Sequence, residues 1–434
     1  MLNMRKILVF FGDIFLIYLS LFLTLLLGFF GEFSFQIFSL HVLPFSIIYV
    51  FWFIIFYIFG LYDLHLIKTK TSFYGSTFGA LAVSLVLGML FFYTVPFFEI
   101  TPKTNLVINI LIFGILFLAW RRLFYFLFSV HFLNRTAIMG KGFEVEILKK
   151  EINERPYLGY KIVSIDLNKD LFSQIQEKNI DTVIFTEEFE SNPKMLKALY
   201  FCLPARVNFL EFAKAYELIY EKIPVSIVSQ SWFLENIKER EKSFYDEAKR
   251  FFDIILASFL FILTLPLWPF ISIAIKLEDK GHVFYSQERI GKNRKSFILY
   301  KFRSMKEGAE KEKAVWAEKK DRRITKVGKF LRQSHLDEIP QMLNVIKGDI
   351  SLIGPRPERP EFVEKLEKEI PHYHLRHLVK PGFTGWAQIK FRYGRSLMDS
   401  HKKFQYDLYY LKNRNFLLDI GILLRTFQLF FKKE

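Results

Sequence analysis

Four long apolar stretches near the start of the chain constrain its fold more than any other feature. They cover residues 7–30, 42–62, 74–95 and 105–119, and each is close in length to the ~20 residues with which a helix crosses ~30 Å of hydrocarbon. We therefore predict four transmembrane helices. The first is not expected to be a cleaved signal peptide, because it is long, lacks a small-residue cleavage site and is followed at once by a second span.

Basic residues flank these stretches unevenly. Arg5 and Lys6 precede the first stretch, and Lys68 and Lys70 lie between the second and the third. The fourth stretch is followed by Arg121, Arg122 and Arg135. The other two loops hold only Lys103. Since cytoplasmic loops carry the excess of Lys and Arg, both ends of the four-helix bundle are expected to face the cytoplasm.

Charge is concentrated toward the C-terminus. The 434 residues carry a formal charge of +16, and the segment from Leu277 onward has 34 Lys and Arg against 20 Asp and Glu. This balance suits lipid head groups, phosphorylated substrates or nucleic acid, but the membrane segments make nucleic acid the poorest of the three, and we expect no nucleic-acid partner. The single cysteine, Cys202, excludes an intramolecular disulfide and fits a reducing compartment.

Residues 134–229 change to an alternating pattern that predicts strands and helices of a small α/β domain. Gly140 and Gly142 form an incomplete dinucleotide fingerprint, and Asp166 lies at about the distance of a ribose-binding acid. Two interpretations stay open, a bound nucleotide and a purely structural strand-to-helix turn.

A fifth apolar stretch at residues 251–276 is interrupted by Pro266 and Pro269. Proline in a helix interior removes a hydrogen bond and kinks the backbone. We predict a hairpin that enters the bilayer and returns, with Lys249 and Arg250 reaching lipid phosphates at its mouth. The alternative is a buried, kinked core helix. The apolar tail at 415–431 is typical of an interfacial helix.

Two adjacent carboxylates, Asp337 and Glu338, head an apolar pattern that predicts an amphipathic helix over 337–347. In the simpler interpretation, Ser334 caps this helix and the acids complement its dipole. Nearby Arg332 and Arg356 favour a second interpretation, because paired carboxylates hold Mg²⁺ and guanidinium groups bind phosphate. A carboxylate can also attack phosphorus.

Three other segments carry polar residues of interest. LYKFRSM contributes Lys301 and Arg303, and KPGFTGWAQIK presents Trp386 and Gln388 on a loop that is either functional or structural. The three histidines of HYHLRH are better explained by a polar face than by a metal site.

The motifs KFRSM, LRQSHLDEIPQMLNVIKGDISLIGPRP, KPGFTGWAQ and FQYDLYYLKN, in this order and spacing, resemble the bacterial polyprenyl-phosphate hexose-1-phosphate transferases. These are monotopic phosphoglycosyl transferases, and this chain resembles their long form. The resemblance implies a membrane bundle of four transmembrane helices (1–133), a Rossmann-like, CoA-binding-like α/β domain (134–245) and a mostly α catalytic domain (246–434) with a re-entrant membrane helix at 250–277.

The resemblance also implies a reaction. Hexose-1-phosphate passes from a UDP-sugar, with UDP-glucose and UDP-galactose the expected donors, to undecaprenyl phosphate, and UMP is released. Asp337 matches the family nucleophile, which carries a covalent phosphosugar, and Glu338 its partner at Mg²⁺. Five further residues match family positions that are expected to line the phosphate and uridine site. They are Lys301, Arg303, Arg332, Pro355 and Arg356.

The same resemblance sets expectations for location and partners. We expect a multi-pass protein of the bacterial inner membrane whose catalytic domain faces the cytoplasm and contacts membrane lipid, with the N-terminal parts anchoring, regulating or forming a homodimer. In the hairpin Pro266 matches the family proline, but Leu265 stands where serine is usual. Two other functions stay open, a non-catalytic scaffold for polysaccharide assembly and a membrane nucleotide-sugar dehydratase or epimerase.

Overall fold

The structure is a computed structural model. It describes residues 2–29, 32–62, 70–95, 103–127, 133–190, 192–308, 323–391 and 396–431. Lys68, one of the basic residues used to orient the bundle, lies outside the described residues. Two compact units divide the chain, Met1–Ile219 and Tyr220–Glu434.

Long apolar helices begin the first unit. They are α1 (Leu2–Gly28), α2 (Phe35–Ile58), α3 (Lys70–Thr94) and α4 (Lys103–Phe126). Each is long and apolar enough to cross a membrane. The prediction of four apolar helices is therefore confirmed, although α2 begins seven residues earlier than expected and α4 extends to Phe126.

A buried ion pair explains why α4 continues past its apolar stretch. Arg121 Nη2 lies 2.7 Å from Asp13 Oδ2 of α1, and both side chains are buried. The guanidinium group also lies over the ring of Phe117. Arg121 is therefore part of the helix interface rather than a freely exposed flanking charge, and the cytoplasmic orientation stays a prediction that rests on the remaining basic residues.

The rest of this unit is α/β. Its strands are β1 (Asn134–Met139), β2 (Tyr160–Ile162), β3 (Thr182–Phe185) and β4 (Asn208–Glu211), and its helices are α5 (Phe143–Glu154), α6 (Leu171–Glu177), α7 (Glu187–Glu190), α8 (Pro193–Phe201) and α9 (Phe212–Tyr220). The strands pair in parallel in the order β2-β1-β3-β4. The predicted α/β pattern is confirmed at this level.

The turn between β1 and α5 is packed tightly. A Cβ on Gly140 would collide with the side chain of Thr186, so the strand-to-helix turn needs glycine for steric reasons. The carboxylate of Asp166 accepts the Asn168 N–H at 3.0 Å within its own turn. These contacts account for the residues structurally, and nucleotide binding stays a prediction.

The second unit mixes helices with short sheets. Its helices are α10 (Gln230–Asn236), α11 (Ser243–Thr264), α12 (Leu267–Glu278), α13 (Lys326–Gln333), α14 (Gln341–Lys347), α15 (Pro360–Glu369), α16 (Trp386–Lys390), α17 (Leu397–Asn413) and α18 (Phe416–Phe431). Strands β5 (Phe284–Ile290) and β6 (Ser296–Phe302) form an antiparallel hairpin, and β7 (Ser351–Ile353) pairs in parallel with β8 (Gly382–Thr384). The expectation of a mostly α domain therefore missed these strands.

Residues 220–245 pack within this second unit. The Ile223 N–H donates to the carbonyl of Gln405, and Arg414 pairs with Glu239 at 2.7 Å. Trp386 is buried, donates to the Glu221 carbonyl at 3.0 Å and stacks on Tyr409. The structural interpretation of the KPGFTGWAQIK loop thus accounts for its tryptophan. The domain boundaries at 133/134 and 245/246 stay predictions.

Helices α11 and α12 form the apolar hairpin. They meet at an angle of 60° where Pro266 interrupts the helix. Thr264 Oγ1 donates to the Leu260 carbonyl at 2.8 Å, so a hydroxyl lies one residue before the position where the family has serine. A bent pair of this kind is either a broken span or a re-entrant helix, and the re-entrant topology stays a prediction.

Candidate active site

The two carboxylates lie in a tight turn rather than at the start of a continuous helix. Helix α13 ends at Gln333, and the hydroxyl of the next residue, Ser334, donates back to the Phe330 carbonyl at 2.8 Å. His335 then adopts a left-handed conformation, with φ 55°. Asp337 and Glu338 follow in a 3-10 turn, and α14 begins only at Gln341. The helix predicted over 337–347 is therefore confirmed for 341–347, whereas its first turn is 3-10. The capping role of Ser334 is wrong, because its hydroxyl bonds back into α13.

Glu338 holds two cations. Its Oε1 atom accepts hydrogen bonds from Lys301 Nζ and from Arg356 Nη2, both at 2.9 Å. Burial alone would raise the pKa of Glu338, but the charges of Lys301 and Arg356 outweigh it and lower that pKa. The side chain is therefore an anion that fixes an ammonium and a guanidinium group at the turn.

Asp337 has the opposite environment. It is 6% exposed, and its carboxylate forms no hydrogen bond or ion pair with the residues that the structure describes. Burial, together with the neighbouring charge of Glu338, raises the pKa of Asp337 to about 6. A desolvated carboxylate without a bound cation is available to react, and adjacent acids with divergent pKa values are typical of catalytic sites.

Both carboxylates line one cavity of about 770 Å³. Strands β5 and β6, the β6–α13 connection and the segment before α15 form its walls, and Lys301 enters from β6, where it pairs with Tyr285 of β5. A cavity of this size suits a sugar nucleotide.

The other predicted binding residues differ in position. Arg332 and Arg303 line the cavity, but Arg332 donates to Ser304 Oγ at 2.8 Å, and Arg303 donates to the Asp279 carbonyl at 2.9 Å. Pro355 is buried outside the described cavity lining, and its carbonyl accepts the Gly382 N–H. Its assignment to the substrate site stays a prediction.

Further basic residues that the sequence did not single out line this cavity. They are Arg289, Arg323 and His282. Arg289 Nη1 donates to the Pro357 carbonyl at 3.1 Å, which ties β5 to the segment carrying Arg356. The sequence signal was the alternation in FYSQERI, but only the hairpin register shows which of its residues share a face with Lys301.

Buried polar contacts hold the turn in place. Asn344 of α14 accepts from the Tyr300 N–H at 3.1 Å and donates to the Ile298 carbonyl at 2.7 Å, which joins α14 to β6. Arg376 donates to the Arg356 carbonyl at 2.8 Å and pairs with Asp407 at 3.1 Å. These contacts join α14 to β6 on one side of the turn and hold the backbone of Arg356 on the other.

The two basic residues predicted at the mouth of the hairpin contact other parts of the second unit, whereas Pro266 is exposed at the bend. Lys249 Nζ lies 2.6 Å from Asp419 Oδ2, and its side chain is 12% exposed. Arg250 donates to the carbonyls of Val345 and Ile346 at the end of α14. The expectation that Lys249 extends to lipid phosphates is therefore wrong, because it serves as an internal ion-pair partner.

The fit of Mg²⁺ rests on the donor set. No group of three or more His, Cys, Asp or Glu side chains suited to a metal occurs in the described part of the chain. Glu338 Oε1 is occupied by two cations, whereas the Asp337 carboxylate has no cation against it. These residues fit an ion shared with substrate phosphates, which is how proteins commonly hold Mg²⁺.

Comparison with known proteins places this unit in a family. Residues 244–433 match the model of a family described as bacterial sugar transferase. A UDP-N-acetylgalactosamine-undecaprenyl-phosphate N-acetylgalactosaminephosphotransferase of Aeromonas hydrophila is 44% identical over 182 residues, which are 42% of this chain and 43% of that protein. A UDP-glucose:undecaprenyl-phosphate glucose-1-phosphate transferase of Klebsiella pneumoniae is 42% identical over 41% of this chain and 39% of that protein.

A shorter relative is covered more fully. The uncharacterized sugar transferase EpsL of Bacillus subtilis (strain 168) is 40% identical over 41% of this chain and 84% of its own length. The chain thus spans about two fifths of the two longer relatives and most of the shorter one. The residues that match the family model contain the carboxylate turn and the apolar hairpin.

Proposed function

The chain belongs to the bacterial sugar transferase family, and from that premise we propose that it transfers a sugar-1-phosphate from a UDP-sugar to undecaprenyl phosphate. The names of the two longer relatives support this reaction, since each describes a sugar phosphate moved to undecaprenyl phosphate. The observation that carries the proposal is the divergence of the adjacent carboxylates, Glu338 bound to two cations and Asp337 to none.

In the first step the Asp337 carboxylate attacks the β-phosphorus of the UDP-sugar. A new carboxylate oxygen–phosphorus bond forms, and the bond from that phosphorus to the bridging oxygen breaks. UMP leaves with the electron pair of that bond, and the sugar phosphate stays on Asp337 as an acyl phosphate. Burial favours this step, because a poorly solvated carboxylate loses little hydration when it attacks.

In the second step an oxygen of undecaprenyl phosphate attacks the same phosphorus. The acyl phosphate bond breaks, undecaprenyl-diphosphate-sugar forms and the Asp337 carboxylate is regenerated. Both steps bring an anion to an anionic phosphate, so nearby positive charge is required. Lys301 and Arg356, fixed by Glu338, and Arg332, held by Ser304, supply it in the cavity.

Mg²⁺, held by Asp337, Glu338 and the substrate phosphates, would neutralise the diphosphate charge and stabilise the leaving UMP. The described residues offer that ion few protein ligands. For this reason its affinity in the proposed site depends on bound nucleotide sugar.

The apolar hairpin supplies access to the lipid acceptor. Large exposed side chains cover its outer surface, among them Phe251, Phe259 and Phe270, each more than half exposed. Exposure of such a large apolar surface to water is unfavourable in free energy, and the surface fits insertion into a bilayer. We therefore propose a re-entrant helix whose polar end carries the active site at the membrane surface, in the cytoplasm-facing leaflet of the bacterial inner membrane.

The proposed reaction is the initiating step of exopolysaccharide or O-antigen assembly. UDP-glucose and UDP-galactose remain the proposed donors, and an N-acetylated sugar has support from the Aeromonas relative. The four-helix bundle and the α/β part are proposed to anchor, regulate or dimerise the enzyme.

Product analysis tests the proposal. Membranes that contain the protein are incubated with Mg²⁺, undecaprenyl phosphate and a panel of UDP-sugars, and the released nucleotide is identified. UMP is expected, whereas UDP would indicate ordinary glycosyl transfer and contradict the mechanism. A membrane scaffold without activity would release neither, and Asp337→Asn would then leave polysaccharide assembly intact.

A further inference from the structure

A second, smaller cavity lies in the C-terminal unit, at the foot of the hairpin. Its volume is about 90 Å³, and its described lining shares no residue with the active-site cavity. It is far smaller than the active-site cavity of about 770 Å³. The cavity therefore suits a small anionic group such as a phosphate rather than a whole sugar nucleotide.

Positive charge dominates this cavity, and part of it is already paired. Lys249 pairs with Asp419 at 2.6 Å, and Arg414 pairs with Glu239 at 2.7 Å and with Asp246 at 3.2 Å. These contacts stabilise the packing between α11 and the C-terminal helices. The positive charges of Arg250, Lys292 and Lys380 are not neutralised by these ion pairs.

Asp253 balances only part of that charge. It lines the cavity and accepts the Leu352 N–H at 3.2 Å. Burial raises the pKa of Asp253, although the charge of Lys249 opposes that rise. Asp349, which accepts a hydrogen bond from Asn344 Nδ2, is the other acid that acts on Lys380. Among the side chains that line the cavity, Arg250, Lys292 and Lys380 therefore face one acid that is outside the ion pairs.

Arg250 and Lys380 approach each other closely. A Cβ built on Gly348 would lie 3.2 Å from Arg250 Nη2 and 3.3 Å from Lys380 Nζ, so the two charges face each other across this glycine. Arg250 donates to carbonyls at the end of α14, which explains its position. Lys380, in contrast, makes no hydrogen bond or ion pair within the described ranges of the chain. Like charges at this separation repel unless an anion joins them.

The location of the cavity indicates the source of such an anion. Arg250 is followed directly by Phe251 and Phe252, which are 62% and 59% exposed and belong to the apolar surface of the hairpin. With the hairpin in a bilayer, the cavity lies where apolar surface gives way to charge, which is the level of the lipid head groups.

We propose that Arg250, Lys292 and Lys380 bind a phosphate group in this cavity, supplied by the head group of an anionic phospholipid that is not a substrate. The bound lipid would fix the depth of the hairpin by joining α11 to the β8 end of the fold. The proposal relies on the proposed membrane insertion of the hairpin and is independent of the transfer reaction.

Native mass spectrometry of the full chain in mild detergent tests this site. The probes are dioctanoylphosphatidylglycerol, dioctanoylglycerol, which lacks phosphate, and inorganic phosphate as a competitor. We expect a phosphatidylglycerol adduct that inorganic phosphate displaces, and no comparable adduct with dioctanoylglycerol. Lys380→Gln removes one charged hydrogen-bond donor and should weaken the adduct about ten-fold.

Matched variants separate binding from misfolding. Lys380→Arg keeps the charge and should retain the adduct, and Lys368→Gln removes an exposed lysine of α15 and should leave it unchanged. Lys292→Gln changes an exposed side chain and should weaken binding without loss of fold. Binding of inorganic phosphate with no lipid adduct would support the phosphate site and overturn its lipid source. Equal phosphatidylglycerol binding by wild type, Lys380→Gln and Lys292→Gln would overturn the proposal.

Discussion

Replacement of Asp337 by asparagine should abolish transfer and yet stabilise the protein. The wild-type carboxylate is buried beside the charge of Glu338, which raises its pKa from 3.8 to about 6. Each pKa unit corresponds to about 1.4 kcal/mol, so the ionised native state bears a penalty of roughly 1–3 kcal/mol that asparagine avoids. Transfer depends on that carboxylate, so the free-energy penalty of keeping it ionised and buried serves activity and lowers stability.

The pH dependence of this stabilisation has a defined sign. Below about pH 4 the Asp337 carboxyl is protonated in both folded and unfolded states, and the variant gains nothing over wild type. Between about pH 4 and 6 only the unfolded state ionises fully, so wild-type stability falls as the pH rises. Above about pH 6 the gain of the asparagine variant is complete.

Thermal unfolding of the detergent-solubilised protein measures the effect. For a unit of this size, a gain of about 1–3 kcal/mol raises the melting temperature by about 2–10 °C near pH 8. Glu338→Gln is the matched control and should have the opposite sign, because it leaves Lys301 and Arg356 without their shared anion. An asparagine variant that is no more stable than wild type at pH 8, or equally stabilised at pH 4, would refute the argument.

Three further results are expected. First, kcat/KM should rise with pH through about 6, since attack requires ionised Asp337; a flat profile from pH 5 to 8 would contradict this. Second, Arg376→Ala should cost roughly 3–5 kcal/mol of unfolding free energy by leaving buried Asp407 unpaired, with Arg376→Lys losing less; denaturant unfolding that shows no loss would contradict it. Third, Gly354→Ala should cost roughly 1–3 kcal/mol, because its Cβ would meet the backbone of Lys380 and Gly382, whereas Gly75→Ala has open space around it and should be tolerated; equal melting temperatures would contradict the packing argument.

The apolar helices were predictable because about twenty consecutive apolar residues allow few other structures. The residues at which these helices end were harder to predict. Arg121 looked like a flanking charge, and only the packing of α1 against α4 brings it to Asp13. A buried ion pair between residues more than a hundred positions apart leaves no local pattern in the sequence.

The carboxylate turn shows a different limit. The spacing of Leu336, Ile339, Leu343 and Ile346 predicted one helix, yet His335 takes a left-handed conformation and the first turn is 3-10. That conformation brings Glu338 to Lys301 and Arg356 and leaves Asp337 facing the cavity. The sequence predicted which residue types form the site. Tertiary contacts decide that Glu338 binds two cations and that Asp337 binds none.

Lys301 and Arg303 illustrate the same point over two residues. Both belong to KFRSM, but Lys301 lies in β6 and Arg303 follows directly after that strand ends at Phe302. In the structure Lys301 bonds to Glu338, whereas Arg303 turns to the end of α12 and contacts Asp279. Periodicity assigns residues to a face, and only packing decides which partner each one meets.

Nucleotide release without the lipid acceptor tests the central claim most directly. Purified protein is mixed with UDP-sugar and Mg²⁺ in the absence of undecaprenyl phosphate, and UMP is followed during the first turnover. If Asp337 is the nucleophile, a burst of about one UMP per chain appears, a phosphosugar adduct maps to Asp337, and Asp337→Asn shows neither. Release of UMP only after the lipid acceptor is added, with no adduct on the protein, would contradict the account.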